Sequence, residues 1–124
     1  VIVVTGAGRG IDLQVARAFA FLGGKVVIAE LNEPGKQVEE EIWAEGGKAI
    51  YIQTDVSDSV SVTHLAQEAH KQFGPVDIQV NNAIRCPVEL VKDMAESLWD
   101  QVIAVNLRGT FLIFKAFLPD MLAR

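Results

Sequence analysis

Short runs rich in β-branched residues alternate along this chain with longer segments whose apolar residues recur at helical spacing. Val1–Val4 is a continuous β-branched run, as expected of a strand covered on both faces. From Gly10 the apolar positions Ile11, Val15, Ala16, Phe19 and Leu22 predict a first helix, ended by Gly23-Gly24. Lys25–Glu30 (KVVIAE) predicts the second strand. Pro34 suits the first turn of a second helix, Val38 and Ile42 mark its inner face, and Gly46-Gly47 stops it. Lys48–Thr54 (KAIYIQT) reads as the third strand. Val62, Leu65, Ala66, Ala69 and Phe73 give a third helix, N-capped by Asp58 or Ser59 and followed by Gly74-Pro75. Val76–Asn81 (VDIQVN) is the fourth predicted strand, and Ile84–Val88 is a loop. From about Ala95 to Arg124 the pattern is helical, with a break expected near Asn106–Gly109.

Helical connections of this length between strands require a parallel sheet in an α/β domain. Right-handed crossovers favour the strand order 3-2-1-4, with the first two helices on one face and the later ones on the other. That is part of a doubly wound sheet. The chain's 124 residues, half of them apolar and 22% charged, suit one such domain over residues 1–124. Eleven Lys and Arg against sixteen Asp and Glu leave a net charge of −5, without the basic footprint of a nucleic-acid binder. No apolar run approaches the ~18 residues that span a bilayer, and no charged-then-apolar signal segment opens the chain. Neither nucleic acid nor membrane is therefore an expected partner, and the cytoplasm is the expected compartment. The chain opens at Val1 without an initiator Met and closes at Arg124 directly after an apolar helical pattern. Both ends read as cut, so one part of a longer polypeptide is expected.

Thr5-Gly6-Ala7-Gly8-Arg9-Gly10-Ile11 leaves the first strand and opens the first helix. Glycines there allow a tight turn and close approach of a pyrophosphate, and a helix N-terminus offers unpaired N–H groups to the anion. The spacing is not G-x-G-x-x-G, because Ile11 stands where the third glycine would fall. A glycine-rich turn without a ligand is the competing reading. Glu30 ends the second strand, twenty residues after Gly10. An acid at that place accepts hydrogen bonds from an adenosine ribose and repels a 2′-phosphate. Together the turn and the acid favour a nucleotide ligand.

These segments carry a family resemblance. TGAGRGI (Thr5–Ile11), AEL (Ala29–Leu31), TDVSD (Thr54–Asp58), DIQVNNA (Asp77–Ala83) and VNLRGTF (Val105–Phe111) make the chain similar to the N-terminal, cofactor-binding half of the short-chain dehydrogenases/reductases. The resemblance covers essentially all 124 residues. It implies a partial Rossmann-type domain and an NAD(P)-dependent oxidoreductase that moves hydride between nicotinamide and an alcohol or ketone carbon. It places Gly6, Arg9, Gly10 and Ile11 along the pyrophosphate and adenosine side of the dinucleotide. Glu30, with Leu31 beside it, would hold the adenosine ribose; Asp55 and Val56 would meet the adenine edge; Asn82, Ala83 and Ile84 would run beside the ribose. Asn106 matches the catalytic Asn, which orders water in a proton relay. Arg9 pulls toward NADP, but Glu30 outweighs it, so NAD is the expected cofactor and NADP the less favoured one. The competing function is a non-catalytic Rossmann-fold binding module, or pseudoenzyme, that acts through association.

Three departures bear on that choice. The family pattern TGxxxGxG ends on glycine, and here Asp12 stands in that place. An acid in a helix's first turn gains ~0.3–1 kcal/mol from the dipole, but two like charges ~4 Å apart repel by about 1 kcal/mol in water and about 4 at intermediate permittivity. Weakened cofactor binding is expected. Ile84 replaces the glycine that usually follows Asn-Asn-Ala, and either crowds the ribose or packs. The catalytic Ser and the Tyr-x-x-x-Lys pair have no counterpart, since Tyr51 is followed at i+4 by Asp55. The chain alone is therefore expected to be inactive.

The remaining candidates read as structural. His64 and His70 do not share a helical face and make a poor metal pair, so no metal is expected and both read as solvated. Cys86, the only cysteine, permits no disulfide and reads as an inert loop thiol. Val76, Ile78 and Val80 would flank an unpaired strand edge, and Phe111, Leu112, Phe114, Phe117 and Leu118 cover more than one helical face. A homo-oligomer through that edge, the last helix or both is expected.

Overall fold

A computed structural model describes residues 1–123. Strands β1 (Ile2–Thr5), β2 (Lys25–Glu30), β3 (Lys48–Gln53) and β4 (Ile78–Val80) form one parallel sheet in the order β3-β2-β1-β4. Helices α1 (Gly10–Phe21), α2 (Pro34–Ala44) and α3 (Ser59–Phe73) form the crossovers. After β4 come α4 (Glu96–Ile103), a π-helical turn (Ala104–Gly109) and α5 (Thr110–Leu122). The α/β class, the strand order and the helices on both faces are those the alternating pattern requires.

Successive strand residues point to opposite faces, and β1 shows this most clearly. Val4 faces a core with Ile28, Ala16, Val38 and Ile42, under α1 and α2. Val3 faces a second core with Val27, Leu65, Ile113 and Phe117, under α3 and α5. Both valines are fully buried, as is the continuous run Val26–Ile28 in β2. Asp58 caps α3, its two carboxylate oxygens accepting from Val60 N and Ser61 N at 3.2 and 3.1 Å.

Several expectations need correction. The fourth strand is shorter than Val76–Asn81. Val76 lies before the ladder and is fully buried, so it does not flank an open edge. At the other end Asn82 N and Ala83 N leave the ladder for the hydroxyl of Thr5, each at 3.1 Å. The last helical run is widened, not broken, at Asn106–Gly109: the π turn carries the helix on into α5. Arg124 lies outside the described residues. Within that run Phe117 is fully buried, while Phe111, Phe114 and Leu118 stay exposed. Finally, Glu96–Leu122 is a helical run of 27 residues containing an 18-residue stretch with mean hydropathy 1.5, long and apolar enough to cross a bilayer by length and composition alone. Polar residues spaced along it hide this from a count of consecutive apolar residues. Its buried members Ile113 and Phe117 pack on the sheet's second core.

His70 is also not simply solvated. Its Nε2 stands 2.6 Å from Asp120 Oδ2, which also accepts from Val76 N at 2.9 Å, and its ring meets Phe117 edge-on. Asp120 thereby ties α5 to α3 and to the entry of β4. Burial alone would raise the Asp120 carboxyl, but hydrogen bonds from Val76 and His70, with the charge of that ring, outweigh it and hold the group below its ordinary 3.8. A carboxylate held below its unfolded value contributes stability that is present above that value and lost as pH falls through the folded one. Asp120→Asn should therefore lower stability at neutral pH and flatten the acid limb of the stability–pH curve, read by denaturant melts between pH 7 and 2.5.

The Thr5 hydroxyl holds the other end of β4. It donates to Val80 O at 3.3 Å while accepting from Asn82 N and Ala83 N. Thr5 is 1% exposed. Thr5→Val keeps the shape and leaves two N–H groups unpaired, which should destabilise the fold by about 1–3 kcal/mol. Urea unfolding of both forms measures it.

Candidate functional site

The carboxyl ends of the strands open into a cleft of about 580 Å3. Parallel α/β sheets place ligands there because backbone groups at the strand ends are no longer paired within the sheet. All eleven residues expected to bind a cofactor line this one cleft: Gly6, Arg9, Gly10, Ile11, Glu30, Leu31, Asp55, Val56, Asn82, Ala83 and Ile84. They come from three separate strand-to-helix turns and from the loop after β4.

The glycine turn is built for close approach. Gly6 has φ +76, and a Cβ there would stand 3.1 Å from Ala83 Cα. A side chain at Gly8 would meet Glu30 Cγ at 2.8 Å, and the Gly8 N–H donates to Glu30 Oε2 at 3.1 Å. Glu30 Oε1 accepts from Asn32 N at 3.2 Å, so backbone N–H groups from both sides orient the carboxylate. Among the described residues no side chain caps α1 at Arg9. Its first N–H groups are thus available to an anion.

Asp55 and Val56 form the far wall. Asp55 Oδ1 accepts from Ser57 N and Ser57 Oγ at 2.9 and 2.6 Å, and Asp55 N donates to Ser61 Oγ at 2.9 Å. Ile84 is exposed at the rim, 68% accessible, so it is not absorbed by core packing.

Two placements differ from the rest. Asn106 does not line the cleft; it sits in the π turn. Its Oδ1 accepts from Arg85 N at 2.9 Å and its Nδ2 donates to Arg85 O at 3.0 Å. The Asn106 carbonyl accepts from Thr110 Oγ1 at 2.9 Å. Asn106 thereby pins the loop that carries Ile84 and Arg85. Asp12, 6% exposed, is buried in the cleft wall, where its Oδ1 accepts from Asn82 Nδ2 at 2.6 Å. Burial pushes its carboxyl above the ordinary value, the Asn82 hydrogen bond opposes this, and the Glu30 charge adds to the rise.

Ala29, Asn32, Thr54, Arg85 and Val105 also line the cleft and were not singled out from the sequence. Ala29, Asn32 and Thr54 adjoin residues that were, so adjacency was the available signal. Arg85 and Val105 likewise adjoin Ile84 and Asn106, and the contact between the π turn and the loop after β4 brings these two segments together.

The comparisons agree with this geometry. A family model described as short chain dehydrogenase matches residues 1–124. An uncharacterized oxidoreductase of Thermotoga maritima is 37% identical over 125 residues, covering 100% of this chain and 49% of that protein. Versicolorin reductase stcU of Emericella nidulans is 42% identical over 115 residues, covering 91% of this chain and 44% of that protein. Among solved structures, a metagenomic short-chain oxidoreductase in complex with NADP superposes with a TM-score of 0.92 at 38% identity, covering 98% of this chain and 57% of that one. The chain spans about half the length of the curated relatives it matches. With the parallel 3-2-1-4 sheet and the cleft at its strand ends, these matches show that the chain belongs to the short-chain dehydrogenase family.

Proposed function

We propose that this chain forms the dinucleotide-binding part of an NAD(P)-dependent short-chain oxidoreductase acting on an alcohol or ketone, in the cytoplasm, with NAD preferred over NADP. The observation that carries the reading is the convergence on one cleft of eleven residues from four separate segments of the chain. The turn also fits the group in shape, since a side chain at Gly6 would be strained by its positive φ and would close on Ala83.

A bound nicotinamide would supply the hydride chemistry, and the protein supplies binding and orientation. The N-terminus of α1 offers its N–H groups to the pyrophosphate. Glu30, held by Gly8 N and Asn32 N, presents a fixed carboxylate to the ribose hydroxyls. Asp55 and Val56 would hold the adenine. Asn106, locked to the Arg85 backbone, keeps the loop after β4 against the π turn.

Glu30 also sets the preference between cofactors, because its charge disfavours a 2′-phosphate. The neighbouring structure in complex with NADP shows that the fold accommodates that phosphate in another member. The Gly8–Glu30 contact supports NAD here. Calorimetric titration should find NAD tighter than NADP, with Glu30→Ala narrowing the ratio by roughly tenfold. Equal affinities in the unaltered chain would refute the preference.

Association is the second part of the proposal. β4 pairs with β1 on one side and is the last strand of the sheet on the other. Among the described residues, Gln79 Oε1 and Nε2 and Asn81 Oδ1 are buried without hydrogen-bond partners. The backbone edge of β4 away from β1 is what a further strand would pair with. Phe111, Phe114 and Leu118 give α5 an exposed apolar face. We read both as self-association surfaces. Phe114→Glu should shift a dimer or larger oligomer toward monomer, as light scattering across a dilution series would show.

A further inference from the structure

Asp12 is an acid on the wall of a cleft that otherwise suits an anion. Its Oδ2 would lie 3.2 Å from a Cβ on Gly6, so the carboxylate sits beneath the glycine turn. Among the described residues its side chain accepts a hydrogen bond from a neutral amide, Asn82 Nδ2. Among the described residues it forms no ion pair, although Arg9 and Arg85 line the same cleft. A buried carboxylate without a cation is costly to keep charged, and a second negative charge nearby raises that cost. The upward push on the Asp12 carboxyl from burial and from Glu30 agrees with this geometry.

Resting on the reading of the cleft as a dinucleotide site, we propose that Asp12 makes the cleft sort adenine ligands by phosphate charge. An adenosine head is accepted as it stands. A pyrophosphate docks at the glycine turn together with one proton, taken from solvent onto the Asp12 carboxylate. Like charges ~4 Å apart lower affinity by roughly fivefold in water and by about a thousandfold at intermediate permittivity, so protonation is the less costly route for a ligand that carries charge. The other charged groups lining the cleft are Arg9 in the glycine turn, Glu30 at the end of β2, Asp55 before α3 and Arg85 after β4. An adenosine ligand meets the same set without the phosphates, so it serves as the control for their titration.

The test is calorimetric titration of the full chain with adenosine and with ADP-ribose, whose pyrophosphate keeps its charge between pH 7.5 and 5.5. ADP-ribose should bind more tightly as pH falls, with a buffer-dependent heat that reports proton uptake, while adenosine affinity stays level. Asp12→Asn preserves the shape and an oxygen for Asn82. It should tighten ADP-ribose by about tenfold at pH 7.5, remove the proton uptake and leave adenosine unchanged. The same ADP-ribose affinity and pH profile in both forms, with adenosine bound, would overturn the proposal and leave the dinucleotide reading standing. If D12N does not fold, the unaltered chain decides: a level ADP-ribose profile with buffer-independent heat overturns it. Failure of either form to bind adenosine or ADP-ribose would overturn the dinucleotide reading and this proposal together.

Discussion

The central strand sets the terms for the rest of the molecule. β1 has neighbours on both edges and a hydrophobic core on each face, and Val3 and Val4 have no exposed surface. Water reaches neither side of it, so every polar group it carries must be satisfied within the protein. Along the strand the ladder does this. At its carboxyl end the ladder stops and the Thr5 hydroxyl takes over, joining the end of β1 to Val80, Asn82 and Ala83. The glycine turn starts at the next residue, so the cleft opens where the sheet runs out of internal partners.

The last helical run is fastened to that cleft from the opposite side. The π turn sets Asn106 against Arg85, while the Arg108 guanidinium donates to the Ser57 carbonyl. One widened turn thus ties together the loop after β3 and the loop after β4. A π turn inside an α-helix is rare and recurs at functional sites. Here its structural return is visible: both loops line the cleft, and neither has a strand or helix of its own there.

The buried acid in the cleft wall shows a local rule and a global demand in conflict. At the first turn of α1 an acid suits the helix dipole. In the folded protein the same side chain is drawn inward to Asn82 and lies beside the region where negative charge would dock. Departures of this kind from local consistency concentrate at functional sites.

Strand and helix periodicity, the punctuating glycines and a cap for α3 at Asp58 or Ser59 are properties of neighbouring residues, and the sequence was enough to read them; the structure selects Asp58. β2 runs over Lys25–Glu30 as expected, and α1 and α2 begin at the expected Gly10 and Pro34. The strand order follows as well, because right-handed crossovers leave few alternatives. The cleft residues were legible through motifs that lie at strand ends. Other features depend on residues far apart in the chain. Asp12 meets Asn82 across 70 positions, His70 meets Asp120 across 50, and Asn106 meets Arg85 across 21. Periodicity carries no information about such pairs, since they exist only after both cores have closed and set the helices against the sheet. Tertiary packing therefore decided which way Asp12 points, that the helix widens at Asn106 without breaking, and which part of the last helix is buried.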